Sequence, residues 1–279
     1  LCDDALEGKV ARPSAKAKLH YFRGRALVAL GKADAAVSAW VDAVEADPLG
    51  YSAAQAMSRL HEVGAEAFER GLAMLQRETP KADVSTEPGG SERAVLLARL
   101  GLGDDAREEL EVAGVRGWPA VAVLNQAGLY AEAQRTLANL GTSWRTTPPG
   151  EANLSVWRLA HPLPFAELID GYEVSHSVPD LLAFAVMQTE SRFNPGATSW
   201  AGARGLIQLM PATAQGVAKK AGREIDKDDL YDPATNLDLG MRYLAGLVER
   251  YGGGPGAVAL AIPSYNAGAG AVDKWLGQR

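Results

Sequence analysis

Residues 177–195 read SVPDLLAFAVMQTESRFNP, and this stretch decides the fold class. Ser177 fits an N-cap, Pro179 fits the first helical turn, and Asp180 stands three residues after the cap. From Leu181 to Met187 the side chains leave almost no polar face, so the helix predicted over Pro179–Phe193 is a central, buried one. Pro195 stops it, because its ring pushes Asn194 away from helical angles.

The same pattern continues outward. Phe165-Ala166-Glu167-Leu168-Ile169 opens one helix on the N-terminal side. On the C-terminal side Pro211 starts a helix that runs to Gly222, a second spans Asn236–Tyr251 and closes at Gly252, and a third runs from Gly256 to Trp275. Strand signals are sparse, and the chain reads as all-α. Prolines mark a boundary: Thr146-Thr147-Pro148-Pro149-Gly150 forbids helix, and His161-Pro162-Leu163-Pro164 follows it. Residues 1–145 and 165–279 are therefore expected as separate regions, with 146–164 as the hinge.

The N-terminal region carries a repeated skeleton: Gly31…Ala36…Trp40, Gly101…Ala106…Leu110 and Gly128…Ala133…Leu137. In each, a glycine ends one helix, and a small alanine lets the next helix pack closely. A bulky residue nine positions after the glycine faces the shared core. From Ala17 to Pro48 the first copy resembles a tetratricopeptide repeat, with Gly24, Ala36, Trp40, Ala43 and Pro48 at the expected offsets. Irregular spacing between the glycines implies a degenerate helical-repeat solenoid. A plain scaffold is the preferred role, and a platform for a protein partner is the alternative. Lys81–Ser91 reads as a loop within this region.

Composition narrows the function. The chain has 279 residues, 47% of them hydrophobic, enough for roughly two globular domains. A net charge of −6 argues against nucleic acid as a partner, which would demand a basic face. Lys219-Lys220 reads as a solvated helix face. The single cysteine, Cys2, gives no disulfide framework and no zinc spacing, and the four histidines have no ligand spacing either. No apolar run is long enough for a membrane span. With no apolar stretch and no small residue ahead of Cys2, the N-terminus reads as that of a mature protein or fragment rather than a lipid-anchored one. Tyr251–Gly256 lacks the lysine and the preceding strand of a phosphate loop and reads as a helix end followed by a helix start. Asp226–Asp229 begins like a calcium loop, but Tyr231 occupies the turn position that demands glycine. No metal and no cofactor are expected.

Glu190 falls in the last turn of the buried helix, with Val186 and Met187 beneath it. Desolvation raises a carboxyl pKa, and the negative end of the helix dipole acts in the same direction. Such a group stays protonated long enough to act as a general acid and then as a base. No Asp or Glu occurs between Ser191 and Arg223. Glu190 therefore has no carboxylate partner close to it in the chain. Asp226, Asp228 and Asp229 are the alternative partners that folding would have to bring near.

Residues 190–214 read ESRFNPGATSWAGARGLIQLMPATA, which resembles the signature of the soluble lytic transglycosylases. Two further blocks match in order: Leu230-Tyr231-Asp232-Pro233 with Asn236, Leu239-Gly240 and Tyr243-Leu244, and then Ser264-Tyr265-Asn266-Ala267-Gly268 with Gly270-Ala271-Val272 and Trp275-Leu276. Together they cover about 120 residues. The resemblance implies a lysozyme-like, mostly α catalytic domain behind an α-superhelix. It also implies cleavage of the β-1,4 bond between N-acetylmuramic acid and N-acetylglucosamine of peptidoglycan, without water, leaving 1,6-anhydro ends. Glu190 matches the catalytic acid. Ser199, Gln208, Met210, Tyr265 and Asn266 match substrate-binding positions, although Met210 also fits a core role and Asn266 a helix cap. A bacterial periplasmic or cell-envelope location follows from that substrate. A hydrolytic muramidase and a non-catalytic wall-binding scaffold are the alternatives. Two departures stand out: Pro263 replaces a small residue ahead of Tyr265 and is expected to break its helix locally, and the chain ends soon after the Tyr-Asn block, where the family continues with further helix.

Overall fold

The computed structural model describes residues 12–77, 84–170, 178, 181–253 and 255–277. Among them every regular element is helical, and β-type pairing is limited to isolated bridges from Arg204 to Thr198 and to Leu209. The helices are α1 (Pro13–Ala29), α2 (Ala33–Ala46), α3 (Tyr51–Val63), α4 (Ala65–Gln76), α5 (Glu92–Arg99), α6 (Gly103–Val112), α7 (Gly117–Gln126), α8 (Tyr130–Asn139) and α9 (Leu154–Ala160). They continue with α10 (Leu182–Glu190), α11 (Pro211–Lys220), α12 (Pro233–Arg250), α13 (Pro255–Ala267) and α14 (Ala269–Gly277). The all-α expectation holds. No helix among the described residues is long and apolar enough to cross a membrane.

Two compact units interleave along the chain. One draws on Leu1–Gly90, Ala113–Ala122 and Thr136–Ala160, the other on Ser91–Val112, Val123–Arg135 and His161–Arg279. In the first, α1 to α4 share a core of Tyr21, Ala36, Trp40, Ala43, Val44, Ala53, Ala56 and Leu60. Mostly small side chains let these helices approach closely, and the large Trp40 ring fills the remaining space.

The repeated glycine skeleton has a common local structure. Gly31, Gly101 and Gly128 adopt left-handed φ of 73°, 74° and 74°. The next residue then donates to a carbonyl five positions back: Lys32 to Leu27, Leu102 to Leu97 and Leu129 to Leu124. Each helix is thus closed by the same hydrogen bond that satisfies its last carbonyls. The alanines five residues on (Ala36, Ala106, Ala133) are fully buried, and so, nearly, are Trp40, Leu110 and Leu137.

The second unit has a core of larger apolar side chains, among them Phe184, Met187, Phe193, Leu206, Ile207, Leu209, Leu230, Leu237, Leu239, Met241 and Leu244. Helix α12 is its axis. Asp232 caps it by accepting from the Thr235 N–H at 2.8 Å, and Pro233 supplies the first turn, so it begins three residues before the expected start. On the buried side of α12, Gly240 leaves room for Ile207: a Cβ built there would lie 1.4 Å from the Ile207 Cδ1. Asp238, almost fully buried, is neutralised by Arg223 at 2.6 Å and Arg242 at 2.9 Å.

Other helix limits also differ from expectation. The central helix ends at Glu190 rather than Phe193, because Arg192 and Phe193 turn left-handed (φ 55° and 64°). That turn places the Phe193 ring edge-on to Tyr130 at 6.2 Å, and its burial offsets the backbone cost. The C-terminal segment divides into α13 and α14 at Gly268, whose φ is 84°. Pro263 does not break α13, which runs through it to Ala267. Cys2, Ser177, Pro179 and Asp180 lie outside the described residues, so the expected start signal of the central helix does too.

Candidate active site

Glu190 is the last residue of α10. The helix is anchored on its apolar side by Ala183, Phe184 and Met187. On its polar side the Gln188 amide donates to Gln134 Oε1 at 2.8 Å, while its oxygen bonds His161 Nδ1 at 2.8 Å. Glu190 itself is half-buried, and desolvation pushes its carboxyl above the usual glutamate range. Its place at the helix C-terminus adds the unfavourable end of the dipole.

The chain leaves Glu190 as a tightly bonded irregular segment. Ser191 Oγ donates to the Leu206 carbonyl at 2.6 Å, tying the segment's start to its far end. Between them the bridges centred on Arg204 form a narrow turn. Gln208, also left-handed at φ 51°, donates from Nε2 to the carbonyls of Ala197 (3.1 Å) and Gly205 (2.9 Å). Its side chain therefore holds the turn closed from within. Non-glycine residues in the left-handed region are uncommon, and they cluster where surrounding structure dictates an active-site geometry. Gly205 has φ 77°, and a Cβ there would lie 2.2 Å from the Leu230 carbonyl oxygen and 2.3 Å from Asn236 Nδ2.

Tyr265, from α13, closes the arrangement. Its hydroxyl donates a short hydrogen bond to the Ile207 carbonyl. The hydroxyl is enclosed while part of the ring faces the pocket. Burial first, then the nearby Glu190 and Tyr243, push its phenol far above the usual range, so it acts as a neutral donor. Tyr243 of α12 packs against it with centroids 5.5 Å apart. A pocket of about 160 Å³ is lined by Leu182, Val186, Thr189, Glu190, Leu244, Ile262, Tyr265 and Asn266, together with Ala185. Glu190 is the one carboxylate in that lining.

The structure thus brings Glu190, Tyr265 and Asn266 to one pocket. Asn266 is exposed, and its Nδ2 reaches the Ile262 carbonyl at 3.4 Å, a weak bond along its own helix. Ser199 and Gln208 belong to the adjoining turn, where Ser199 Oγ accepts from the Ala203 N–H at 3.0 Å. Met210 is part-exposed as the N-cap residue of α11. The three alternative acids are engaged elsewhere. Asp226 and Asp229 form a reciprocal capping box on the short 3-10 helix Lys227–Tyr231, and Asp228 pairs with Arg204. No group of metal-binding side chains occurs among the described residues.

One supporting residue was visible in the sequence but not assigned a role. Asn236 is fully buried on α12. Its Nδ2 donates to the carbonyls of Arg204 (3.0 Å) and Leu230 (2.9 Å), and its Oδ1 accepts from the Ile207 N–H at 3.0 Å. Asn236 thereby fixes the segment whose Ile207 carbonyl receives Tyr265. The available signal was an amide on the apolar face of a strongly amphipathic helix, directly before Leu237.

Residues 167–279 match the family model described as the transglycosylase SLT domain. Over 104 residues the chain is 43% identical to a membrane-bound lytic murein transglycosylase C from Mannheimia succiniciproducens, covering 35% of this chain and 29% of that protein. Over 118 residues it is 34% identical to the soluble lytic murein transglycosylase of Escherichia coli, covering 42% of this chain and 18% of that protein. The chain thus spans less than a third of the length of either relative. In fold it resembles the crystal structure of the 70 kDa soluble lytic transglycosylase from Escherichia coli, with a TM-score of 0.56 at 21% identity over 94% of this chain and 40% of that one. Residues 167–279 thus match the transglycosylase SLT domain in sequence, and the chain shares its fold with the 70 kDa soluble lytic transglycosylase.

Proposed function

We propose that this protein is a peptidoglycan lytic transglycosylase and that Glu190 serves as both acid and base. One observation carries the reading: a half-buried carboxyl, raised in pKa by desolvation, is the one carboxylate lining its pocket. Protonated Glu190 donates to the oxygen linking N-acetylmuramic acid to N-acetylglucosamine, the C1–O bond breaks, and the N-acetylglucosamine end leaves as an alcohol. The muramic N-acetyl carbonyl oxygen bonds C1 and spreads the positive charge onto the amide. Glu190, now a carboxylate, takes the proton of the C6 hydroxyl. O6 then attacks C1 and displaces the carbonyl oxygen, giving the 1,6-anhydro end and restoring the acid. No water is consumed.

Ser199, Gln208, Met210, Tyr265 and Asn266 are assigned to the glycan-binding wall by their places in the matched blocks. Tyr265 and Gln208 act through the backbone they hold as well as through substrate contact. The substrate places the protein in the bacterial periplasm or cell envelope. The helix pairs of residues 1–145 are read as a scaffold of degenerate repeats, with 146–164 as the connecting segment.

Digestion of purified sacculi followed by mass spectrometry tests the reading. Wild-type protein is expected to release fragments ending in 1,6-anhydro-muramic acid, lighter by one water than hydrolytic products. Glu190→Gln should lower the rate by about 10²–10⁴-fold, the usual contribution of a general acid–base. Reducing ends would assign a hydrolase instead, and a fully active Glu190→Gln would remove Glu190 from the chemistry.

A further inference from the structure

Trp200 is the most exposed large hydrophobic side chain among the described residues, at 101% of its reference area. Isolated exposed apolar residues are common on protein surfaces, but this one stands on an unusually well-fixed support. The Ser199 N–H donates to the Ala203 carbonyl at 2.9 Å, and the Gly202 N–H donates to the Ser199 carbonyl at 2.9 Å. Ser199 Oγ receives the Ala203 N–H at 3.0 Å, and the Thr198 hydroxyl bonds the Tyr231 hydroxyl at 2.6 Å. Trp200 therefore sits at the tip of a turn that is held on both sides.

The same turn belongs to the segment that leaves Glu190. Ser191 ties that segment to Leu206, Tyr265 ties it to Ile207, and Gln208 closes it. The indole is thus connected through a few short, bonded steps to the residues around the acid. An indole has two side-chain torsions, so holding it against a ligand costs little conformational entropy. Its broad apolar face complements the C–H-bearing face of a pyranose ring, and its N–H is free to meet a sugar hydroxyl.

Resting on the transglycosylase reading, we propose that Trp200 is a stacking platform for a sugar ring of the same glycan strand, outside the pair of sugars joined by the scissile bond. It adds affinity for long strands and leaves the chemical step alone. Trp200 is not among the residues lining the Glu190 pocket, so a short fragment that fills only that pocket is expected to leave it uncovered.

Binding without turnover separates this inference from the assignment of Glu190. The full chain carrying Glu190→Gln is mixed with purified sacculi and sedimented, alone and with Trp200→Ala or Trp200→Phe added. Trp200→Ala is expected to weaken binding about three- to tenfold, with Trp200→Phe retaining most of the affinity, as for a lost or reduced aromatic contact. In the Glu190 background of the wild type, Trp200→Ala should raise KM on long strands and leave kcat on a tetrasaccharide fragment unchanged. Equal sedimentation of all forms would overturn the platform. So would a loss that Phe does not recover, or a Trp200→Ala chain that melts earlier than its parent, which would make the indole part of the fold. A Glu190→Gln chain that remains active would sink the catalytic assignment while leaving this binding comparison intact.

Discussion

The core of α1–α4 and the core around α12 are both helical, yet they are built on different rules. The first is alanine-rich, with Tyr21 and Trp40 as its aromatic side chains, and none of the buried polar side chains among the described residues falls between Tyr21 and Ala67. Its backbone groups are satisfied within helices, so close packing is enough. The second buries Leu, Ile, Met and Phe, and it also buries Asn236, Asp238 and Ser264. Of these, Asn236 serves an irregular segment, 191–210, whose carbonyls and N–H groups no helix pairs, whereas Asp238 pairs with Arg223 and Arg242 and Ser264 with the Tyr251 hydroxyl. A site for chemistry requires backbone that departs from regular structure, and that departure requires buried polar partners.

The largest expected effect that sharpens this contrast is at Asn236. Replacing it with Ala leaves the Leu230 carbonyl and the Ile207 N–H without this partner, while the Arg204 carbonyl keeps the Leu209 N–H at 3.1 Å. A loss of about 2–5 kcal/mol is expected, since each orphaned buried group costs about 1–3 kcal/mol. Urea unfolding measures it directly, and a change below ~1 kcal/mol would erase the distinction between the two cores.

A paired experiment compares steric tolerance. Gly24 in α1 receives the Trp40 indole, and a Cβ there would lie 2.3 Å from its Nε1. Gly240 receives Ile207 in the same manner, at 1.4 Å. Gly24→Ala and Gly240→Ala should each cost about 1–3 kcal/mol through overpacking. The two should diverge in activity. Gly240→Ala displaces Ile207, whose carbonyl receives Tyr265, and should slow the digestion of sacculi. Gly24→Ala should leave the turnover of the folded fraction unchanged. Equal activities would separate Ile207 from the site.

The smallest effect is the stability cost of Glu190 itself. Its folded pKa is raised by desolvation, so the folded chain holds that proton more tightly than the unfolded chain. Stability therefore falls as pH rises from the ordinary glutamate range through the raised value. Glu190→Gln removes that term. Its urea midpoint should equal that of the wild type in acid, exceed it increasingly across that window, and keep a constant lead above it. A gap independent of pH would mean that Glu190 titrates normally. Activity follows the same proton, with turnover declining as pH climbs past the raised pKa.

Much of this was legible in the sequence. The run from Leu181 to Met187 reads correctly as a helix, but its burial is narrower than its apolar sides predict: Ala183, Phe184 and Met187 are buried while Leu181 and Ala185 are exposed. The glycine–alanine–bulky skeleton predicted helix pairs, and Gly31, Gly101 and Gly128 close their helices alike because only glycine enters the left-handed region at little cost. The order of the three matched blocks marked Glu190 and Tyr265. Helix limits were less accessible. The central helix was expected to reach Phe193, yet Ser191 bonds Leu206 and Phe193 turns back to Tyr130. Both partners are distant in sequence, and local propensity contains no information about them. Pro263 misled in the opposite direction, since α13 tolerates it.

The sequence by itself determined the helical class, the place of Glu190 near the end of an apolar helix and the absence of any Asp or Glu between Ser191 and Arg223, because periodicity, capping and composition are local properties. Tertiary structure alone decided what lies around that acid. It sent Asp226 and Asp229 to a capping box and Asp228 to Arg204, and it brought Tyr265 to the Ile207 carbonyl. It also set Asn236 beneath the segment that carries Ile207. These are contacts between residues far apart in the chain, and their geometry exists only once Gly205 and Gly240 let the segment pack against α12.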